Sequence, residues 1–276
     1  MLHKQSRAEK CILFILMVLV SICMLLPLAW MISASLKLDS QVFTVPVQWI
    51  PENPQWQNYL LIWTRIDLAL YTFNTVKITV VVTLLQLFTS SLAAYGFAKC
   101  RFRGRNSLFF FYVITIAIPW QVYMLPQYIM MAKAGLVDTH LAIILLHSFT
   151  AFGVFLLRQF YMSVPDELLE AARIDGLTEH GIYLRIMLPL SKPAIATLCI
   201  FSFVTTWNDF LGPMIYFNSN DLKTIQIGIR MFISLYSSEY NLIMAASVLS
   251  LIPVLTIFLA FQKFFVQGVA TSGLKG

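Results

Sequence analysis

Two ionisable side chains, His147 and Asp209, fall inside long apolar segments of this sequence. Ionisable groups are expensive to place within a membrane, so such positions suggest a functional site by default. Asp209 follows Trp207-Asn208, and these three residues are candidates for lining a polar path. The alternative is that Asp209 lies near enough to the outer membrane surface to be hydrated. For His147, a hydrogen-bonded interior role and a ligand role are both open.

Motifs for catalysis or metal binding are absent from the sequence. Gly176 and Gly181 have the spacing of a phosphate loop, but Ile182-Tyr183 follow where Lys and Ser/Thr are needed. No HExxH and no intramembrane Ser/His/Asp set occurs, and His147 has no second ligand at metal spacing. We therefore predict no enzyme activity, no metal and no bound cofactor. The cysteines are interpreted as small apolar residues: Cys11, Cys23, Cys100 and Cys199.

The composition is that of an all-α protein embedded in a membrane. Of the 276 residues, 59% are hydrophobic and 12% charged, whereas soluble domains carry about a quarter charged residues. A helix needs about 20 apolar residues to cross the bilayer. The first such run is too long for a signal-peptide core, so it is read as an uncleaved span. The sequence predicts six transmembrane helices, at residues 11–35, 71–98, 107–131, 141–162, 194–217 and 242–264.

The basic residues predict that both termini are cytoplasmic. Lys and Arg accumulate on the cytoplasmic side of membrane proteins, and an inside N-terminus places most of the 19 basic residues there. The basic run at 99–105 is then a topology anchor rather than a nucleic-acid site. The inner residues are Lys4, Arg7, Lys10, Lys99, Arg101, Arg103, Arg105, Arg158, Arg173, Arg185, Lys192, Lys263 and Lys275.

Within the spans, small residues and prolines predict where helices pack or bend. Ser90, Ala94 and Ala98 form a stripe at four-residue spacing, which lets a second helix approach closely. The third span is interrupted at Pro119 and again at Pro126, so we expect it to be bent and to face protein or a cavity.

Residues 163–193 form a polar segment between the fourth and fifth spans. We term it the EAA loop, after Glu170-Ala171-Ala172. Ser163 and Asp166 have the spacing of a capping box, which predicts a helix starting there. Gly176 predicts a sharp turn at the end of that helix. A second short helix is expected over 178–188, ended by Pro189.

This loop resembles the EAA motif of permease subunits of binding-protein-dependent ABC importers. A helix lying in a groove on another protein needs small residues on its contact side and a charged group to fix its register. We expect Ala171 and Ala172 to supply the first and Glu170 the second, with Gly176 passing force to the second helix. The residues that match the motif are Glu170, Ala171, Ala172, Asp175, Gly176, Ile186, Leu188 and Pro189.

The resemblance extends over nearly the whole chain, to the smaller, six-span subunit of the maltose-permease type of carbohydrate importer. One departure is the tail, where Gln267 and Val269-Ala270-Thr271 replace a basic residue and Leu-Thr-Ala. The matching segments are 27–30, 35–37, 49–51, 58–59, 94–98, 119, 126, 135–136, 175–176, 207–209 and 273–276.

The resemblance implies the fold, the location and the partners. The fold is the type I ABC importer transmembrane fold, in a bacterial cytoplasmic membrane. Residues 1–70 would form the N-terminal part, 71–265 the permease core and 266–276 a cytoplasmic tail. The implied partners are a homologous second permease, two copies of an ABC ATPase that hold the ATP and Mg²⁺, an extracytoplasmic solute-binding protein and a sugar, with no nucleic acid.

Alternatives to an oligosaccharide importer follow from the same features. A polyol or a glycerol phosphate-type substrate is the second expectation within this importer class. A secondary transporter is a remote alternative, because such proteins carry paired ionisable groups or internal repeats near the midplane, whereas Asp209 stands alone in the sequence.

Overall fold

The structure is a computed structural model that describes residues 7–233 and 238–273, with side chains described as far as Phe264. In these residues the only β pairing is an isolated bridge between Ile233 and Ser238. The helices are α1 (Arg7–Ser35), α2 (Asn58–Arg65), α3 (Leu68–Lys99), α4 (Arg105–Ile114), α5 (Trp120–Lys133), α6 (His140–His147), α7 (Ala151–Met162), α8 (Asp166–Ile174), α9 (Glu179–Ile182), α10 (Leu188–Leu190), α11 (Lys192–Trp207), α12 (Leu211–Tyr216), α13 (Ile225–Arg230) and α14 (Tyr240–Gly273).

Four helical stretches of the described chain are long and apolar enough to cross a membrane: α1, α3, the α6–α7 run and α14 as far as Phe264. Two bent pairs raise the number to as many as six. One pair is Arg105–Ala117 with α5, bent by 101°, and the other is Glu179–Leu190 with α11, bent by 75°. The architecture confirms the prediction of an all-helical membrane protein.

Pro119 accounts for the bend between Arg105–Ala117 and α5, which is the interruption predicted for the third span. Pro119 precedes α5 with an extended backbone, at ψ 138°, and it has no amide hydrogen to continue the helix. The predicted interruption at Pro126 does not occur, because Pro126 lies inside α5. A proline is tolerated within a membrane helix where neighbouring groups satisfy the freed carbonyl.

Two further breaks interrupt the predicted fourth and fifth spans. The α6 helix ends at His147, and Thr150 caps α7 by accepting a hydrogen bond from the Gly153 amide. The α11 helix ends at Trp207, and α12 begins at Leu211. One break therefore falls beside His147 and the other beside Asp209.

Contacts divide the chain into two units: residues 1–68 with 228–252, and residues 69–227 with 253–276. In the first unit, Asn58 Nδ2 donates to the Ser35 and Lys37 carbonyls at 2.9 Å. From residue 7 to residue 27, α1 is exposed. In the second unit, α3 packs against α7 through the predicted small-residue stripe, and a Cβ built at Gly153 would lie 2.5 Å from Ser90 Oγ.

Candidate functional site

The first helix of the EAA loop starts later than the capping box predicted. Ser163 ends α7, and its hydroxyl donates to the Phe160 carbonyl at 2.7 Å. Asp166 is the first residue of α8 and accepts a hydrogen bond from Lys99 Nζ at 2.6 Å. Lys99 also donates to the Val164 carbonyl. This pairing with Lys99 lowers the pKa of Asp166 and ties the start of α8 to the end of α3.

The α8 helix has one buried face and one exposed face. Leu169 and Ala172 are buried, at 1% and 5% exposure, among core residues of the chain itself. Glu170 and Ala171 are exposed, and Ile174 is 87% exposed. Ala172 therefore packs within its own chain instead of lying on a surface that a partner could touch. Of the two alanines expected to contact a partner, only Ala171 is exposed.

Gly176 forms the predicted turn. Its φ of +82° lies in the left-handed region that favours glycine. The Leu177 amide donates to the Ala172 carbonyl and the Gly176 amide to the Arg173 carbonyl, which closes the end of α8. Asp175, just before the turn, is exposed.

The second half of the loop is a continuous helical segment that contains a π-helical turn, rather than a regular α-helix. Thr178 caps α9 by accepting from the Gly181 amide, and a π-helical turn follows at Tyr183–Met187. Pro189 does not end the segment, as was expected, because α10 continues to Leu190. Near the end of the segment, Ile186 and Leu188 are half-buried and Pro189 is exposed.

Glu179 is a site residue that the sequence reasoning missed. Arg173 Nε donates to Glu179 Oε1 at 2.8 Å, and the Tyr95 hydroxyl donates to Glu179 Oε2 at 2.6 Å. The contact with Glu179 raises the pKa of the Arg173 guanidinium. Arg173 and Glu179 lie on either side of the Gly176 turn, so no helical spacing relates them and no sequence pattern could have indicated the pair.

A cleft of about 1160 Å³ lies between α8 and the segment that joins α3 to α4. It is lined by charged residues of both signs: Lys99, Arg101, Arg105, Asp166, Glu170, Arg173 and Glu179. Arg105 donates to the Ala98 and Cys100 carbonyls, which fixes one wall. The predicted EAA residue Glu170 therefore lies at the rim of a polar cleft.

The structure brings His147 and Asp209 together, so Asp209 does not stand alone. His147 Nε2 lies 3.7 Å from Asp209 Oδ2, and the other ring nitrogen is 3.0 Å from the Ile143 carbonyl. Asp209 Oδ1 accepts from the Gly212 amide at 3.1 Å. A Cβ at Gly212 would lie 2.5 Å from Asp209 Oδ2, so glycine is needed for this approach. The pair joins the α6–α7 break to the α11–α12 break.

Trp207 and Asn208, the other predicted path residues, have different surroundings. Trp207 is 1% exposed and stacks on Phe203, with ring centroids 5.6 Å apart. Asn208 is exposed, and its amide donates to the Val204 carbonyl. Asn208 can therefore face a path, whereas the Trp207 ring is a packing element.

Comparison with known proteins decides the family. Residues 86–271 match the family model described as the binding-protein-dependent transport system inner membrane component. The chain belongs to this family. It is therefore a multi-pass inner-membrane protein, as its apolar helices require. Permease subunits of this kind are not catalysts, and a partner ATPase hydrolyses the ATP.

Relatives align with this permease over most of its length. It is 36% identical over 253 residues to the arabinooligosaccharides transport system permease protein AraQ of Halalkalibacterium halodurans, covering 91% of each chain. It is 35% identical to the lactose transport system permease protein LacG of Rhizobium radiobacter, covering 89% of each. The sn-glycerol-3-phosphate transport system permease protein UgpE of Yersinia enterocolitica is also 35% identical, with 87% of this chain and 88% of that protein covered.

A solved structure has the same fold. The chain superposes with a TM-score of 0.82 on a chain from the crystal structure of a bacterial ABC transporter involved in the import of the acidic polysaccharide alginate. The alignment covers 95% of this permease and 99% of the other chain, at 24% identity. The type I importer fold expected from the sequence is confirmed.

Proposed function

We propose that this permease imports oligosaccharides as one half of a translocation path and is driven by an ATPase that docks on the exposed face of α8. The observation that carries the proposal is the exposure of Ile174, Ala171 and Glu170. An isoleucine that is 87% exposed on a polar loop gains from burial against a partner, because burying such a side chain is worth about 1.5–3 kcal/mol. The opposite face of α8 is anchored within the chain, so motion imposed on the exposed face is passed inward.

The partners follow from this arrangement. A homologous second permease completes the path, two ATPase copies each receive one loop, and a binding protein delivers the sugar on the other side. ATP-driven closure of the ATPase dimer then biases a bundle that has two conformations. The same side of the membrane holds the EAA loop and both termini, since the basic residues concentrate there.

Reconstitution tests this function. The permease is placed in proteoliposomes with its sister permease, ATPase and binding protein, and uptake of labelled arabino-oligosaccharides, lactose and glycerol 3-phosphate is compared. We expect uptake of an oligosaccharide that needs both ATP and the binding protein. Preferential uptake of glycerol 3-phosphate, as the UgpE relative suggests, would replace the sugar assignment while leaving the importer class unchanged. Uptake without ATP would reject the class.

The open face of α11 is our candidate for the sugar path. Phe201, Thr205 and Asn208 follow helical spacing and are all exposed, with Phe201 at 46%. Thr205 and Asn208 present hydrogen-bonding groups on this face, and an aromatic ring beside them suits the apolar face of a sugar. Asp209 lies next to this face; its Oδ1 accepts a hydrogen bond from the Gly212 amide, and its Oδ2 lies 3.7 Å from His147 Nε2.

Replacing Asp209 by alanine is expected to lower sugar uptake about tenfold while the ATPase still co-purifies. The loss follows because the substitution removes the hydrogen bond from the Gly212 amide, which holds the residues between α11 and α12 in place and is worth about 1 kcal/mol. Initial uptake rates at several sugar concentrations measure the effect. Asn218→Ala, an exposed polar residue beyond α12, is the control. Unchanged uptake by Asp209→Ala would make Asp209 a packing residue.

A further inference from the structure

The second half of the EAA loop is attached to α3 by the Glu179 carboxylate. One carboxylate oxygen accepts from Tyr95, four residues before the end of α3, and the other accepts from Arg173 on α8. The bond to Tyr95 is 2.6 Å long and partly buried, whereas the 2.8 Å contact with Arg173 is exposed, where ion pairs contribute little on their own. One side chain thus joins three elements: the docking helix, the segment after the turn and a membrane span.

A buried hydroxyl network makes a second attachment one turn away on α3. The Tyr183 hydroxyl donates to Ser91 Oγ at 2.9 Å, and Tyr161 Oη lies 2.7 Å from the same oxygen. Ser91, Tyr161 and Tyr183 are 2%, 0% and 6% exposed. Buried hydrogen bonds of this kind are costly to break because the freed groups find no water. The Tyr95 and Tyr183 rings also contact, at 5.4 Å between centroids.

The covalent route from the loop to α11 is less direct. Glu179–Leu190 meets α11 at a bend of 75°, with Ser191 between α10 and α11. A π-helical turn at Tyr183–Met187 also interrupts the regular ladder before the bend. A displacement of α8 therefore reaches α3 through short side-chain contacts and α11 through a jointed segment.

We propose that Tyr95, Glu179 and Arg173 are positioning residues that transmit movement of the docked EAA loop to α3. This inference rests on the proposed docking of an ATPase on α8. It adds that α3 moves with the loop and that the Tyr95 hydroxyl carries a large part of the coupling, alongside the Lys99–Asp166 and Tyr183–Ser91 contacts to α3.

Tyr95→Phe tests the proposal in the complete reconstituted transporter, because it removes one oxygen and keeps the ring contacts. We expect the ATPase to stay bound and to hydrolyse ATP at a normal rate, while sugar transported per ATP falls about fivefold or more, the range of a typical coupling energy. Tyr112→Phe on α4, outside this network, is the matched control and should keep the normal ratio.

Two Glu179 variants separate transmission from general damage. Gln keeps an acceptor for the Tyr95 hydroxyl whereas Ala does not, so Glu179→Gln should retain more sugar per ATP than Glu179→Ala. A normal ratio in Tyr95→Phe overturns the proposal. Loss of the ATPase during purification of Tyr95→Phe also overturns it, because the network would then serve docking. Failure of the docking assignment itself is seen separately, as normal ATPase binding by Ala171→Glu.

Discussion

Replacing Ala171 by glutamate is expected to release the ATPase from a permease that stays folded. Ala171 is exposed on the face of α8 that also presents Glu170 and Ile174. A glutamate there costs the free permease little, since exposed substitutions usually change stability by less than about 0.5 kcal/mol. In the complex it would place a longer, charged side chain in a closely packed contact. We expect at least a tenfold weaker complex, measured by co-purification from detergent.

The same substitution at the neighbouring residue, Ala172, is expected to have a different effect. Ala172 is 5% exposed and packs in the same core cluster as Leu169 and Leu157. A glutamate there buries an unpaired charge, so Ala172→Glu should destabilise the loop itself by about 3 kcal/mol or more. Thermal unfolding of the purified permease measures this loss. If Ala171→Glu keeps its ATPase and transports normally, α8 is not the docking helix.

Replacing Gly153 by leucine is expected to destabilise the permease by roughly 3 kcal/mol, because α7 lies directly against α3 at this point. A Cβ at Gly153 would meet Ser90 Oγ at 2.5 Å, Thr150 Cγ2 at 2.7 Å and Leu198 Cδ1 at 3.1 Å. Side chains from three elements would have to move to admit even a methyl group. The midpoint of thermal unfolding in detergent should fall by several degrees.

Gly96 is the matched control for this substitution. It lies in α3, and a Cβ built there meets no atom within 4 Å. Gly96→Leu should leave the unfolding midpoint unchanged or raise it, since leucine favours the helix by up to about 1 kcal/mol relative to glycine. Equal midpoints for the two variants would mean that the close approach at Gly153 is unimportant for stability.

Features governed by single residue types were predictable from the sequence. Pro119 breaks the third span and Gly176 turns the chain at +82° because no other residue type meets those backbone demands as easily. The small residue at Ser90 also indicated a close helix contact, which Gly153 completes. The family pattern of the EAA loop belongs to this group, because its spacing is fixed along the chain.

Features that depend on which side of a helix is buried were not predictable. Ala171 and Ala172 are identical neighbours, and only the burial of Ala172 in the core cluster that includes Leu157 and Leu169 distinguishes them. The pairing of His147 with Asp209 depends on two helix breaks meeting in space. Ser163 was misplaced because its hydroxyl binds the carbonyl of Phe160, an alternative that capping rules leave open.

The buried and exposed faces of α8 place different constraints on which substitutions its residues tolerate. Residues 169 and 172 are buried within the permease, so the side chains tolerated there are limited by packing in its own core, independently of any ATPase. Under the proposed docking, positions 170, 171 and 174 are constrained by the ATPase as well, so a substitution there would require a matching change in the partner. If an ATPase docked on several permeases in this way, each would have to present the same exposed residues of α8, while the residues that contact the sugar could differ.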